Sequence, residues 1–298
     1  MSFIYQNLTV SGSRADTEGA SKFITVARTF LEAAGWQMID DRTAQAGSAT
    51  PSLTHKLVFS SLGETGNLPT YYMTIFSGTG AAVASSLVSF MMSTAYDTVA
   101  HDVPSSGVST NVSNAQDVQT VLNTPSEANF EVWMSGDSQG VVFVTRQAST
   151  YDTICVGRAN SFSSVAQNSF PLYINGASGN VITVTNTSTV RTIGGNPPQS
   201  FNATSEASIG FTSLASTNQP YDLDAATSIF LAVPLALRYS DANPVRKGVA
   251  GTLRNVWATV GTAAGAFAEG RLTASGTFGV QTYRVFPNAA DALLIRET

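Results

Sequence analysis

Phe130-Glu131-Val132-Trp133-Met134 and Val141-Val142-Phe143-Val144-Thr145-Arg146 flank Ser135-Gly136-Asp137-Ser138-Gln139-Gly140. Two apolar runs rich in β-branched and aromatic residues, separated by a Gly/Asp/Ser insert, spell a β-hairpin. The same grammar continues on both sides. Residues 53–61 and 71–76 flank the turn-rich Gly63-Glu64-Thr65-Gly66-Asn67, and 151–156 reads as the strand after the hairpin. Residues 181–192 are β-branched almost throughout, and 229–239, 252–260 and 281–286 carry the pattern to the end.

One segment breaks it. Ala20, Phe23, Ile24, Ala27, Phe30, Leu31 and Ala34 recur at three- and four-residue spacing, the mark of one apolar helix face. A helix over 16–34 follows, with Asp16 as N-cap, Gly35 at the C′ position and a short strand over 36–40. Residues 80–95 fit helix or strand, and 117–122 suit one helical turn. The expected fold class is α+β and predominantly β. It has antiparallel sheets or a sandwich, with the N-terminal amphipathic helix packed on a sheet. A chain of 298 residues suits about two domains. The Ser/Asn/Gly cluster over 160–176 places them at 1–165 and 166–298.

The composition agrees with a β-rich chain. Hydrophobic residues make up 43% and charged residues 12%, while Ser and Thr together number 70. Disorder would need more charge and fewer β-branched residues. Fifteen basic and twenty acidic residues leave a net charge of −5. The three Lys and twelve Arg are scattered, so autonomous nucleic-acid binding by phosphate neutralisation is not expected. A single Cys155 and two His supply neither a disulfide framework nor a His/Cys metal site. The opening Met1-Ser2-Phe3-Ile4-Tyr5-Gln6 lacks the basic and apolar regions of a secretory signal. The apolar stretches 80–95 and 229–237 are interrupted, so membrane insertion is not expected.

Several motifs invite a chemical reading. Gly136-Asp137-Ser138-Gln139-Gly140 matches G-x-S-x-G literally. In α/β-hydrolases that serine sits on a strand-to-helix turn and its histidine follows it in the chain. Here His55 and His101 both precede Ser138, and a strand follows the motif. The order His55, then Asp97 or Asp102, then Ser138 is formally that of chymotrypsin. Yet His55 lies in Leu53-Thr54-His55-Lys56, and Gln139 stands where the trypsin-like segment has glycine. A polar turn between strands accounts for the same residues. His101-Asp102 and Asp40-Asp41 are neighbours whose side chains diverge on a strand. Tyr221-Asp222-Leu223-Asp224 and Asp241-Ala242-Asn243 could each contribute to a calcium site, but neither has the acidic density of an EF-hand loop. Gly194-Gly195-Asn196-Pro197-Pro198 reads as a turn, since no Lys-Ser/Thr follows. The sequons at Asn7, Asn111, Asn186 and Asn202 are patterns only. Trp36, Trp133 and Trp257 read as core and interface fillers ahead of a sugar platform. No catalytic residue, cofactor or metal ligand is therefore assigned.

Three segments resemble virion structural proteins of tailed bacteriophages. The first is Phe30-Leu31-Glu32-Ala33-Ala34-Gly35-Trp36-Gln37-Met38-Ile39-Asp40-Asp41. The second is the hairpin with the strand after it, up to Gly157-Arg158 and Phe170-Pro171-Leu172. The third joins Arg246-Lys247-Gly248-Val249-Ala250-Gly251-Thr252-Leu253 to Tyr283-Arg284-Val285-Phe286 and Ala292-Leu293-Leu294-Ile295-Arg296. The resemblance covers about half the chain and implies a non-enzymatic part of a tail, neck, collar or baseplate. It also implies a place in the virion, several copies, and partners that are copies of itself and other virion proteins. A carbohydrate- or receptor-binding β module, with a host-surface glycan as partner, is the alternative. Neutral Ser/Thr surfaces suit subunit contacts, because they bury little charge. The segments 102–113, 194–208 and 214–221 contain two charged residues, Asp102 and Glu206. Several of them are expected to be ordered by neighbouring subunits.

Overall fold

A computed structural model describes residues 1–9, 15–42, 55–61, 70–77, 87–93, 95–101, 121–123, 129–158, 160–161, 172–177, 191–193, 211–212, 231–239, 248–260, 270–276, 279–287 and 292–297. They are predominantly β. The elements run β1 (Ser2–Thr9), α1 (Ala15–Ala33), β2 (Trp36–Asp41), β3 (His55–Ser61), β4 (Tyr72–Ser77), β5 (Leu87–Ser93) and β6 (Val121–Asn123). Then come β7 (Asn129–Asp137), β8 (Gly140–Gln147), β9 (Thr150–Arg158), β10 (Asn160–Ser161), β11 (Leu172–Ala177) and β12 (Arg191–Ile193). The chain ends with β13 (Phe211–Thr212), β14 (Leu231–Tyr239), β15 (Gly248–Val260), β16 (Gly270–Gly276), β17 (Gly279–Pro287) and β18 (Ala292–Arg296).

The strands form three antiparallel sheets. The first is ordered β1-β7-β8-β9-β11-β12 and the second β2-β3-β4-β5-β6. The third is ordered β13-β14-β15-β18-β17-β16, with β10 paired to β15. Most neighbours are consecutive in sequence, as short connections favour. The first strand is an exception: β1 bonds to β7 from Ser2↔Gly136 to Thr9↔Asn129. The first sheet also crosses the boundary expected at 165/166, because β11 pairs with β9.

Side chains alternate across each strand, so β7 has two faces. Phe130, Val132 and Met134 join a buried cluster with Val141, Phe143, Ile154 and Val156 of the same sheet. The cluster also holds Leu57, Phe59, Met73, Ile75, Phe90 and Met92 of the second sheet, and Phe23, Ile24, Ala27, Phe30 and Leu31 of α1. Phe143 stands at its centre. Its ring lies 5.9 Å from Phe23, 6.2 Å from Phe30 and 5.1 Å from Phe90. Trp133 lies on the opposite face of β7 and meets Phe286 of the third sheet edge-on at 5.1 Å. Phe286 in turn meets Tyr151 at 5.9 Å.

Local chemistry sets the element ends. Gly35 has φ +93°, a conformation that glycine adopts without steric cost. Its N–H donates to Glu32 O at 3.1 Å, and the chain turns directly into the buried Trp36. The helix starts at Ala15, so Asp16 belongs to its first turn and does not precede it as an N-cap.

Two other expectations are corrected, and the ambiguity over 80–95 is resolved. The hairpin turn is tighter than six residues, because pairing continues to Asp137↔Gly140. Within 80–95, residues 87–93 are strand, since pairing from Tyr72↔Ser93 to Ser77↔Val88 supplies backbone partners that an isolated turn of helix lacks. Val121 and Leu122, assigned to a helical turn, belong to β6 and pair with Ser89 and Val88. The segments 102–113, 194–208 and 214–221 lie outside the described residues, as does 181–190 of the expected strand over 181–192.

Candidate functional site

Among the described residues, the hairpin turn Asp137-Ser138-Gln139-Gly140 gathers a dense set of polar contacts. Asp137 Oδ1 accepts from the N–H groups of Gln139 at 2.8 Å and Gly140 at 3.0 Å, an Asx turn. Its Oδ2 accepts from Asn255 Nδ2 at 3.2 Å, and its carbonyl accepts from Trp36 Nε1 at 2.8 Å. Ser138 O accepts from Ser61 Oγ at 2.6 Å. Gln139 O accepts from Tyr71 Oη at 2.6 Å and from Arg158 N at 2.8 Å. The buried Gln139 side chain donates from Nε2 to Ser61 Oγ at 3.3 Å. One turn of the first sheet is thereby tied to the second sheet through Ser61 and Tyr71, and to the third through Asn255.

The packing leaves no slack there. A Cβ on Gly136 would lie 2.5 Å from Gly140 O and 2.6 Å from Val141 Cγ1. A Cβ on Gly35 would lie 3.3 Å from Ser138 Cβ. Asn255 reaches the turn because its φ is +62° and β15 bulges. Residues 253–256 lie between the pairs Thr252↔Ala236 and Trp257↔Pro234, opposite Leu235 alone. Tyr71 is buried, and burial pushes its phenol well above the ordinary value, so it stays a neutral donor.

A second polar cluster occupies the edge of the second sheet. Asp40 Oδ2 accepts from Tyr96 Oη at 2.6 Å and meets His101 Nδ1 at 2.8 Å. A carboxylate can only accept, so Nδ1 carries the proton. Burial works to raise the Asp40 carboxyl. The hydrogen bonds from Tyr96 and His101, with the charges of His101 and Arg42, outweigh it and hold the group below its ordinary value. Lys56 Nζ donates to His101 O at 2.7 Å and stands 5.5 Å from the Tyr96 ring centroid. His101 itself has φ +57°. Asp97 Oδ1 caps Val99 N–H at 2.8 Å and Ala100 N–H at 3.0 Å, and these bonds lower its carboxyl. Asp41 pairs with Arg28 of the helix at 2.9 Å.

Of the residues of the serine-nucleophile reading, Ser138, Asp97 and His101 are dispersed. Ser138 sits with Ser61 and Gly35, Asp97 closes its own turn, and His101 pairs with Asp40. His55 opens β3, and Asp102 lies outside the described residues. Asp222, Asp224, Asp241 and Asn243, the turn at 194–198 and the sequons at Asn111, Asn186 and Asn202 also lie outside them. Asn7 is an exposed residue of β1. Among the described residues no group of three or more His, Cys, Asp or Glu is placed to hold a metal ion. No described helix is long and apolar enough to cross a membrane. Cys155 is buried, and burial raises its thiol well above the ordinary value. Trp36 and Trp133 are buried, whereas Trp257 is half-buried against Tyr283.

Tyr96 and Asn255 were not singled out from the sequence. Asn255 carried a signal, since an Asn inside a β-branched run is the residue type that tolerates positive φ. Tyr96 carried none, because its partner Asp40 is 56 residues away in the chain. No protein-family model matches the chain, and no curated protein matches it.

Proposed function

We propose that this chain is a structural subunit of a tailed-bacteriophage virion. It assembles in several copies in the tail, neck, collar or baseplate, with copies of itself and other virion proteins as partners. The observation that supports this best is the use made of the Gly136–Gly140 segment. Its polar atoms bind the backbone and side chains of three sheets, which is the work of a scaffold. The low charge and the Ser/Thr-rich composition support it too, because neutral surfaces are the least costly to bury between subunits.

The finer architecture belongs to the same reading. The first and second sheets form a sandwich, and the apolar face of α1 braces it. A virion part built this way transmits load through the sheets, and the third sheet is coupled to them at the hairpin turn. A sugar platform draws no support from Trp36 or Trp133, since both indoles are buried. Cryo-electron microscopy of intact particles tests the role. Density for this fold, repeated with the particle's symmetry in the tail or neck, is expected. Particles in which every such density is accounted for by other chains would overturn it.

A further inference from the structure

β1 ends the first sheet. Among the described residues it is bonded on one side only, to β7. Its eight residues, Ser2 to Thr9, contain no charge and no proline. Proteins that keep a long edge strand from pairing generally blunt it with such residues. Here the edge is long and neutral, and Tyr5, Asn7 and Thr9 are exposed.

Beside this edge stands the guanidinium of an arginine on the third sheet. Arg284, on β17, lies 6.0 Å from the ring centroid of Tyr5 and 5.7 Å from that of Trp133. Among the described residues it has no carboxylate partner, and its Nε is buried without an acceptor. The other arginine on Trp133, Arg146 at 5.6 Å, differs in this respect. Its Nε donates to Glu131 Oε2 at 2.7 Å. Glu131 is thus engaged, and its Oε1 also accepts from Tyr5 Oη at 2.6 Å. A buried charged donor left without an acceptor is costly, so the site favours an incoming anion.

We propose that the open edge of β1 accepts an extended segment of another protein, neutral along its length except for one carboxylate that pairs with Arg284. Main-chain hydrogen bonds hold the added strand, and the carboxylate sets its register. Adjacent strands lie about 4.8 Å apart, so a residue opposite Tyr5 stands within reach of a guanidinium lying over that ring. A second copy of this chain fits poorly. Its β1 has no carboxylate, and the acidic pair on its edge strand β2 is engaged, Asp40 by Tyr96 and His101 and Asp41 by Arg28. This inference deepens the assembly role proposed above, and rests on it for the partner's being another subunit.

The test uses the whole chain and two labelled octapeptides of Thr, Val and Gln, alike except for a central Asp or Asn, followed by fluorescence anisotropy. The Asp peptide is expected to bind about tenfold more tightly than its Asn twin, the worth of one charge-assisted hydrogen bond. Arg284→Gln is expected to abolish the difference, and Arg284→Lys to retain part of it. Equal binding of the two peptides, or binding of neither, overturns the proposal on the native protein without recourse to a variant. Self-association of the free chain that Asn7→Lys abolishes would also overturn it, by giving the edge to a second copy. If the chain is present in particles and neither peptide binds, the virion role stands and the edge assignment falls.

Discussion

Asp137 serves four hydrogen bonds with one side chain and one carbonyl, whereas no described hydrogen bond uses the Ser138 hydroxyl. The two neighbours should therefore respond oppositely to truncation. Asp137→Ala is expected to cost about 3 kcal/mol in chemical denaturation, and Ser138→Ala under about 1 kcal/mol. Gly136→Ala forces a Cβ against the Gly140 carbonyl and the Val141 backbone. It should cost at least about 3 kcal/mol, since neither atom can swing aside. Asp40 gives a pH-dependent case. Its folded carboxyl is lowered, so its contribution is complete above the ordinary aspartate value and is lost as pH falls through the lowered one. Asp40→Asn should be destabilised by about 2 kcal/mol at neutral pH. The gap from the native protein should close in acid, as equilibrium unfolding across pH would record.

The helix was legible in the sequence because its information is local. Seven apolar residues at helical spacing and a glycine after them need no knowledge of the partner. Phe30, buried within that face and 6.2 Å from Phe143, should cost about 3–5 kcal/mol when truncated to Ala, measured by urea denaturation. The hairpin was legible for the same reason, although its turn is tighter than the six polar residues suggested. β1 and β6 were not. The residues of β1 pair with β7 more than a hundred positions later, and β6 is a three-residue edge held by β5. No periodicity of their own marks such strands, since long-range pairing creates them. The candidate site divides along the same line. The turn chemistry of Asp137 and Gly140 could be read directly, whereas Ser61, Tyr71 and Asn255 reach it from distant strands and could not.

The chain combines little charge with many hydroxyl side chains, and among its described residues three antiparallel sheets meet at one part-buried turn. Charge scarcity limits what the surface can do alone, because steering and ion pairing both need charge. It also lowers the cost of covering that surface with neighbours. Mass spectrometry with quantified copy number, on particles purified from cells carrying this gene, tests the structural role most directly. The chain is expected in every particle preparation, in several copies per virion, and retained through density-gradient banding. Its absence from banded particles, with the protein present in the lysate that released them, would contradict the role.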